Sequence, residues 1–136
     1  MTEFDIPSDL QQKVIHVIRQ VSFKGKDTVI PDTLEGKIVQ DADRLDAIGA
    51  IGIARTFAFG GSRGRRMHEP GEEPNLHLDA AGMKNYQGTT VNHFYEKLLL
   101  LKNLMNTDEA KKIAEERDRY MREFLDEFYA EWDGQR

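Results

Sequence analysis

Apolar residues recur along this chain at helical spacing, in four stretches. In the first, Leu10, Val14, Val17, Ile18 and Val21 predict a helix from Ser8 to about Val21. Ser8 and Gln11 form a capping-box pair behind Pro7. Residues 22–31 are a polar connection that contains Gly25 and ends at Pro31. A second helix is predicted from Asp32 or Thr33, with Glu35 placed to close its cap, as far as Phe59. At about 100° per residue, Leu34, Ile38, Leu45, Gly49 and Gly52 share one face, with Ala42 and Ile53 beside them. Gly49 and Gly52 weaken a helix relative to alanine, and close approach of another helix there would offset the cost. The small side chains of Ala47 and Ala50 extend that opening.

A third helix is predicted from Thr89 or Thr90 to about Met105, with Val91, Phe94, Leu98, Leu101 and Met105 inward. Asn106 or Thr107 caps a fourth, which runs to about Trp132 with Asp108 and Glu109 at its positive end. Its buried side is expected to carry Ile113, Tyr120, Phe124, Phe128 and Trp132, widened by Ala110, Met121 and Leu125. Between the second and third helices, residues 60–89 are an irregular segment, Gly/Arg-rich and then acidic. No strand pattern and no internal repeat is present. The prediction is an all-α domain over residues 1–136, a bundle of at least four helices.

Composition narrows the partners. The 136 residues suffice for one core, and 39% hydrophobic with 32% charged residues suits an ordinary soluble helical protein. A net charge of −5 argues against duplex nucleic acid, which needs a basic face to displace counterions. The chain has no cysteine, which removes disulfides, thiolate nucleophiles and cysteine–zinc sites and fits a cytoplasmic location. Residues 1–7 carry no secretory pattern, and the longest apolar run, Leu98 to Leu101, is far too short to span a bilayer, so no membrane partner is expected.

Candidate chemistry begins with Asp41, Asp43 and Asp46, carboxylates inside a segment that otherwise reads as a buried helix. Asp43 and Asp46 lie one turn apart and could offer oxygen ligands to a hard divalent cation. The alternative is a partly exposed charge cluster, with either paired to Arg44, Arg55 or a lysine. His93 and Lys97, four residues apart, face the same way and could meet a phosphate, or simply form a polar flank beside Phe94 and Leu98. Arg63, Arg65 and Arg66, interleaved with glycines, form either a phosphate cradle or a solvated loop, without a Walker pattern. His68 and His77 flank an acidic stretch at no recognised ligand spacing, and His16 reads as a boundary histidine. No serine sits in a nucleophile-elbow pattern.

The run from Ile38 to Gly61, the run from Asn92 to Thr107 and the ending from Ala114 to Trp132 resemble the bacterial HD-domain metal-dependent phosphohydrolases over nearly the whole chain. The resemblance implies an HD-type helical fold that hydrolyses a phosphate ester or anhydride, with a small phosphorylated substrate such as a nucleotide. It also implies a divalent metal: Mn, Mg, Ni, Co or Fe. The family's metal set is a histidine, a His-Asp pair and a later aspartate. In its Ala-Asp-x-Leu context that last ligand maps onto Asp43, with Asp46 behind it in a supporting or structural place. Lys97, His93 and Arg63 would then face substrate. The chain has no His-Asp dipeptide; its four histidines precede Val, Glu, Leu and Phe. It therefore resembles the C-terminal part of such an enzyme, expected to bind metal weakly or not at all alone and not to hydrolyse phosphate esters efficiently. The alternative is a non-catalytic helical module. Helix faces built for preceding helices would be uncovered, which implies self-association into a homo-oligomer or an N-terminal partner segment.

Overall fold

The computed structural model describes residues 6–136; residues 1–5, which carry most of the leader reading, lie outside the described residues. Among the described residues six α-helices follow one another: α1 (Ser8–Val21), α2 (Leu34–Asp46), α3 (Gly49–Ser62), α4 (Ala80–Lys84), α5 (Thr90–Glu96) and α6 (Asp108–Trp132). Short 3-10 segments occupy Gly25–Asp27 and Leu98–Leu104. No strand occurs among the described residues, so the all-α prediction holds. No described helix is long and apolar enough to cross a membrane.

The core is built from Ile48 and Ile53 of the α2–α3 region, Val91 and Phe94 of α5, Leu98, Leu99 and Leu101 of the 3-10 segment, and Ala114, Met121 and Leu125 of α6. The inward residues predicted for the third helix, Val91 to Met105, are all buried. The segment is nevertheless not one helix. It changes from α to 3-10 at Lys97, whose φ of −139° and ψ of −62° end α5. Residues three apart stay aligned through that change, because a 3-10 turn repeats every three residues. Leu98 and Leu101, three apart, therefore stay on one side in either form.

The second predicted helix is likewise two, separated at Ala47–Ile48. Gly49 opens α3 at a φ of +76°, which an L side chain resists, and a Cβ there would meet the Arg117 side chain of α6 at 3.0 Å. A Cβ on Gly52 would fall 2.3 Å from the Ala47 carbonyl oxygen. The crowding at Gly52 thus comes from the preceding turn of its own chain, and not from another helix.

Three further expectations are corrected. On α2 only Leu45 of the apolar stripe packs against the core; Leu34 and Ile38 are 64% and 52% exposed, while Gln40, Asp41 and Arg44 are buried. On α6 the inward line is Ala110, Ala114, Met121 and Leu125, with Phe124 and Phe128 packed against it; Ile113, Tyr120 and Trp132 are exposed. At α1 the capping box does not form, since Pro7 is the N-cap without a side-chain bond and Gln11 donates instead to the Ile6 carbonyl at 2.6 Å. The caps expected at Thr33, Thr89 and Thr107 do form, each hydroxyl accepting a backbone N–H. Within residues 60–89 the sequence pattern missed α4, whose Asp79 cap accepts from Gly82.

Candidate functional site

The buried polar face of α2 is a latch. The Asp41 carboxylate accepts from the Asn106 and Thr107 backbone N–H groups, the Asn106 amide and the Thr107 hydroxyl, at 2.8–2.9 Å. Burial pushes its pKa up, but these donors outweigh burial and hold it below the ordinary 3.8. Arg44 donates to the Leu104 carbonyl, and Gln40 bonds the Asn106 amide as well as the Gln20 and Val29 carbonyls. The first aspartate of the cluster therefore fixes the start of α6. The third, Asp46, is exposed and paired with Arg55, which was the alternative reading for this cluster. Asp43 is exposed and makes no ion pair or hydrogen bond among the described residues, although its charge favours the protonated form of Lys97.

Between the segment after α1, α3, α4 and α5 lies a cavity of about 410 Å³. Arg55 and Phe59 reach it from consecutive turns of α3, His93 from α5 and Lys97 from the residue that ends α5. The 3-10 segment after α1 is tied to α4, with Lys26 N–H donating to Leu78 and the Ala80 N–H donating to Asp27. That tie brings Phe23 and Lys24 opposite Lys84. Arg65 enters from the turn after α3. Its guanidinium lies 5.4 Å from the Phe59 ring centroid and 4.8 Å from that of Tyr86, and it donates to the Tyr86 carbonyl at 3.2 Å. The lining holds five cationic side chains, Lys24, Arg55, Arg65, Lys84 and Lys97, and no carboxylate. Only Arg55 of these is neutralised by a carboxylate partner among the described residues.

Burial, with the Lys97 and Arg65 charges, pushes the His93 pKa down to about 4. The imidazole is neutral at neutral pH, and its buried Nδ1 has no hydrogen-bond partner. Burial lowers Lys97 against the attraction of Asp43, while its ammonium sits 5.5 Å from the Phe23 ring. The sequence singled out His93 and Lys97, and the structure brings them together. Arg63 does not line this cavity; its guanidinium lies 5.2 Å from the centroid of the same Phe59 ring. Sequence reasoning missed Lys24, Lys84 and the aromatic rings; the four-residue spacing of Arg55 and Phe59 was the available signal. His68 packs against Phe128, Tyr129 and Trp132 and docks the loop on α6, His77 is exposed, and His16 pairs with Asp32 at 2.9 Å.

The metal implied by the family resemblance does not fit the residues present. Among the described residues no group of three or more His, Cys, Asp or Glu side chains is placed to hold an ion. Asp43 offers one carboxylate, and hard cations require several oxygen ligands.

No protein-family model matches the chain. It is 43% identical over 124 residues to Bacillus subtilis YpgQ, described as uncharacterised, a match covering 90% of this chain and 53% of YpgQ. The crystal structure of YpgQ in complex with ADP matches with a TM-score of 0.71 at 37% identity, over 96% of this chain and 58% of that one. A Lactobacillus plantarum protein of known structure matches with a TM-score of 0.88 at 44% identity, over 96% of this chain and 62% of that one. An HD-superfamily hydrolase from Bacillus thuringiensis matches with a TM-score of 0.69 at 45% identity, over 97% of this chain and 58% of that one. The chain thus spans little more than half the length of these relatives, and over nearly all of its own length it is similar in sequence and fold to an HD-superfamily hydrolase.

Proposed function

We propose that the cavity between α3, α4 and α5 binds the phosphate end of a nucleotide, as the substrate-side part of an HD-type phosphohydrolase. One observation carries this reading: in a chain of net charge −5, five cationic side chains and three aromatic rings line one cavity with no carboxylate. Guanidinium and ammonium groups suit phosphate oxygens, and the rings of Phe23, Phe59 and Tyr86 suit a flat base or sugar. The ADP complex of YpgQ and the similarity to an HD-superfamily hydrolase support the same class of ligand. Lys97 supplies a positive charge, and neutral His93 offers Nδ1 as a hydrogen-bonding station. Asp43 takes the place of the family's later aspartate, and its charge favours protonated Lys97, while Asp46 pairs with Arg55.

Binding and turnover are separable here. The chain alone is expected to bind ADP in metal-free buffer and not to hydrolyse nucleotides efficiently with manganese. Calorimetric titration tests the first point: Lys97→Ala should weaken ADP by about tenfold or more, as expected for loss of a charged phosphate contact. Undetectable ADP binding, or an unchanged affinity in the variant, removes the reading. Robust manganese-dependent hydrolysis that disappears in Asp43→Ala would contradict the expected lack of turnover.

A further inference from the structure

A second basic cavity, of about 570 Å³, adjoins the first, and Phe59, Arg65, Met83, Lys84 and Tyr86 line both. Arg63, Gly64, Arg66, Asn85 and Gln87 belong to the second alone. Its lining again contains no carboxylate. Arg66 is neutralised by Glu69 and Glu72 and fastens the loop. Arg63, Arg65 and Lys84 have no ion-pair partner among the described residues.

The positions of these cations are set by the turn that ends α3. The Arg63, Gly64 and Arg65 N–H groups bond back to the carbonyls of Phe59, Gly60 and Gly61, and Gly64 adopts a φ of +66°. The turn lays two guanidiniums on one ring, with Arg63 5.2 Å and Arg65 5.4 Å from the Phe59 centroid. The rings orient these cations without neutralising them. A multiply charged anion can pair with both at once. Guanidinium forks match phosphate oxygens in pairs, and the Asn85 and Gln87 amides add neutral donors.

We propose that this second cavity is a binding site for a phosphoanhydride anion. Two sources share that chemistry: free pyrophosphate, or the distal phosphates of a nucleotide whose other end occupies the first cavity. Calorimetric titration of the chain with pyrophosphate in metal-free buffer, with and without saturating ADP, tests the proposal. Of these two cavities Arg63→Glu and Gln87→Glu alter only the second, and both residues are exposed, so the fold should tolerate them. Each should weaken pyrophosphate by about tenfold or more. Lys111→Glu on α6, outside both cavities, should change it less than about twofold, controlling for net charge. Pyrophosphate binding that persists under saturating ADP identifies a separate anion. Displacement by ADP, with ADP itself weakened by Arg63→Glu, identifies the distal phosphates. Undetectable pyrophosphate binding, or affinities within about twofold of the parent in both cavity variants, overturns the proposal. The pyrophosphate titration alone remains interpretable if ADP fails to bind, so the two readings fail separately.

Discussion

His93 shows how far a side chain can depart from what its type suggests. Free imidazole titrates near neutrality, but burial beside Lys97 and Arg65 pushes this one from 6.5 down to about 4. The unfolded chain therefore takes up a proton between those values that the folded chain refuses. Its contribution to stability is complete above about 6.5 and is lost as pH falls towards 4. From pH 7 to pH 5 the loss is about 2 kcal/mol, at roughly 1.4 kcal/mol per pH unit across the window. Urea unfolding at the two pH values checks this. His93→Phe, which keeps a ring against Tyr86, should remove that part of the difference, and an identical loss in the variant would assign it to other groups. At this scale the sequence was informative about which residues meet, since a four-residue spacing put His93 and Lys97 together. It said little about charge state, because neither their burial nor the neighbouring Arg65 is visible from spacing. The aspartate cluster shows the same limit. Three carboxylates of one type became a buried cap, an exposed group and an ion pair, at Asp41, Asp43 and Asp46 respectively.

Among the elements, α2 departs from the usual rule that a helix hides its apolar side, since Leu34 and Ile38 are exposed and only Leu45 of its stripe packs on the core. It hides Gln40, Asp41 and Arg44 because the turn at Leu104–Thr107 presents backbone and side-chain groups that need partners. Asp41→Ala would leave donors from Asn106 and Thr107 unpaired at the start of α6. The expected cost is about 2–4 kcal/mol, measured as a shift in the urea midpoint at pH 7. Because the folded pKa of Asp41 is depressed, its stabilisation is present above its ordinary 3.8 and fades as pH falls through the lowered value. A parent-like midpoint for this variant would mean that water replaces the carboxylate without loss. The caps at Thr33, Thr89 and Thr107 were legible because they depend on local residue type. The buried polar face of α2 was not, since it depends on partners 60 or more residues away. The break at Gly49 was hidden for a similar reason: a glycine inside an apolar pattern looks the same whether it is helical or at positive φ.

Across the whole molecule, charge and apolar surface are unevenly distributed. The cationic groups that line the two cavities stand against a net charge of −5. At the opposite extreme α1 has no buried residue, and Leu10, Ile18, Leu34, Ile38 and Val39 are all exposed on α1 and α2. Apolar surface of this kind promotes association. Sedimentation velocity should show species larger than one chain as concentration rises, and Ile18→Lys with Ile38→Lys should shift the distribution towards the single chain. A parent that stays monomeric at high concentration would contradict this. The all-α class was legible because helical periodicity is repeated over the chain. The cavities were not, because their walls come from segments that only the folded structure assembles.

The 3-10 segment Leu98–Leu104 joins Lys97 in the cavity to Asn106 and Thr107 at the latch. Each residue in such a segment advances the chain by about 120° and about 2 Å. Its length is therefore a phase setting between two distant parts of the molecule. One inserted residue would turn Asn106 and Thr107 away from Asp41 or swing the Lys97 ammonium out of the cavity.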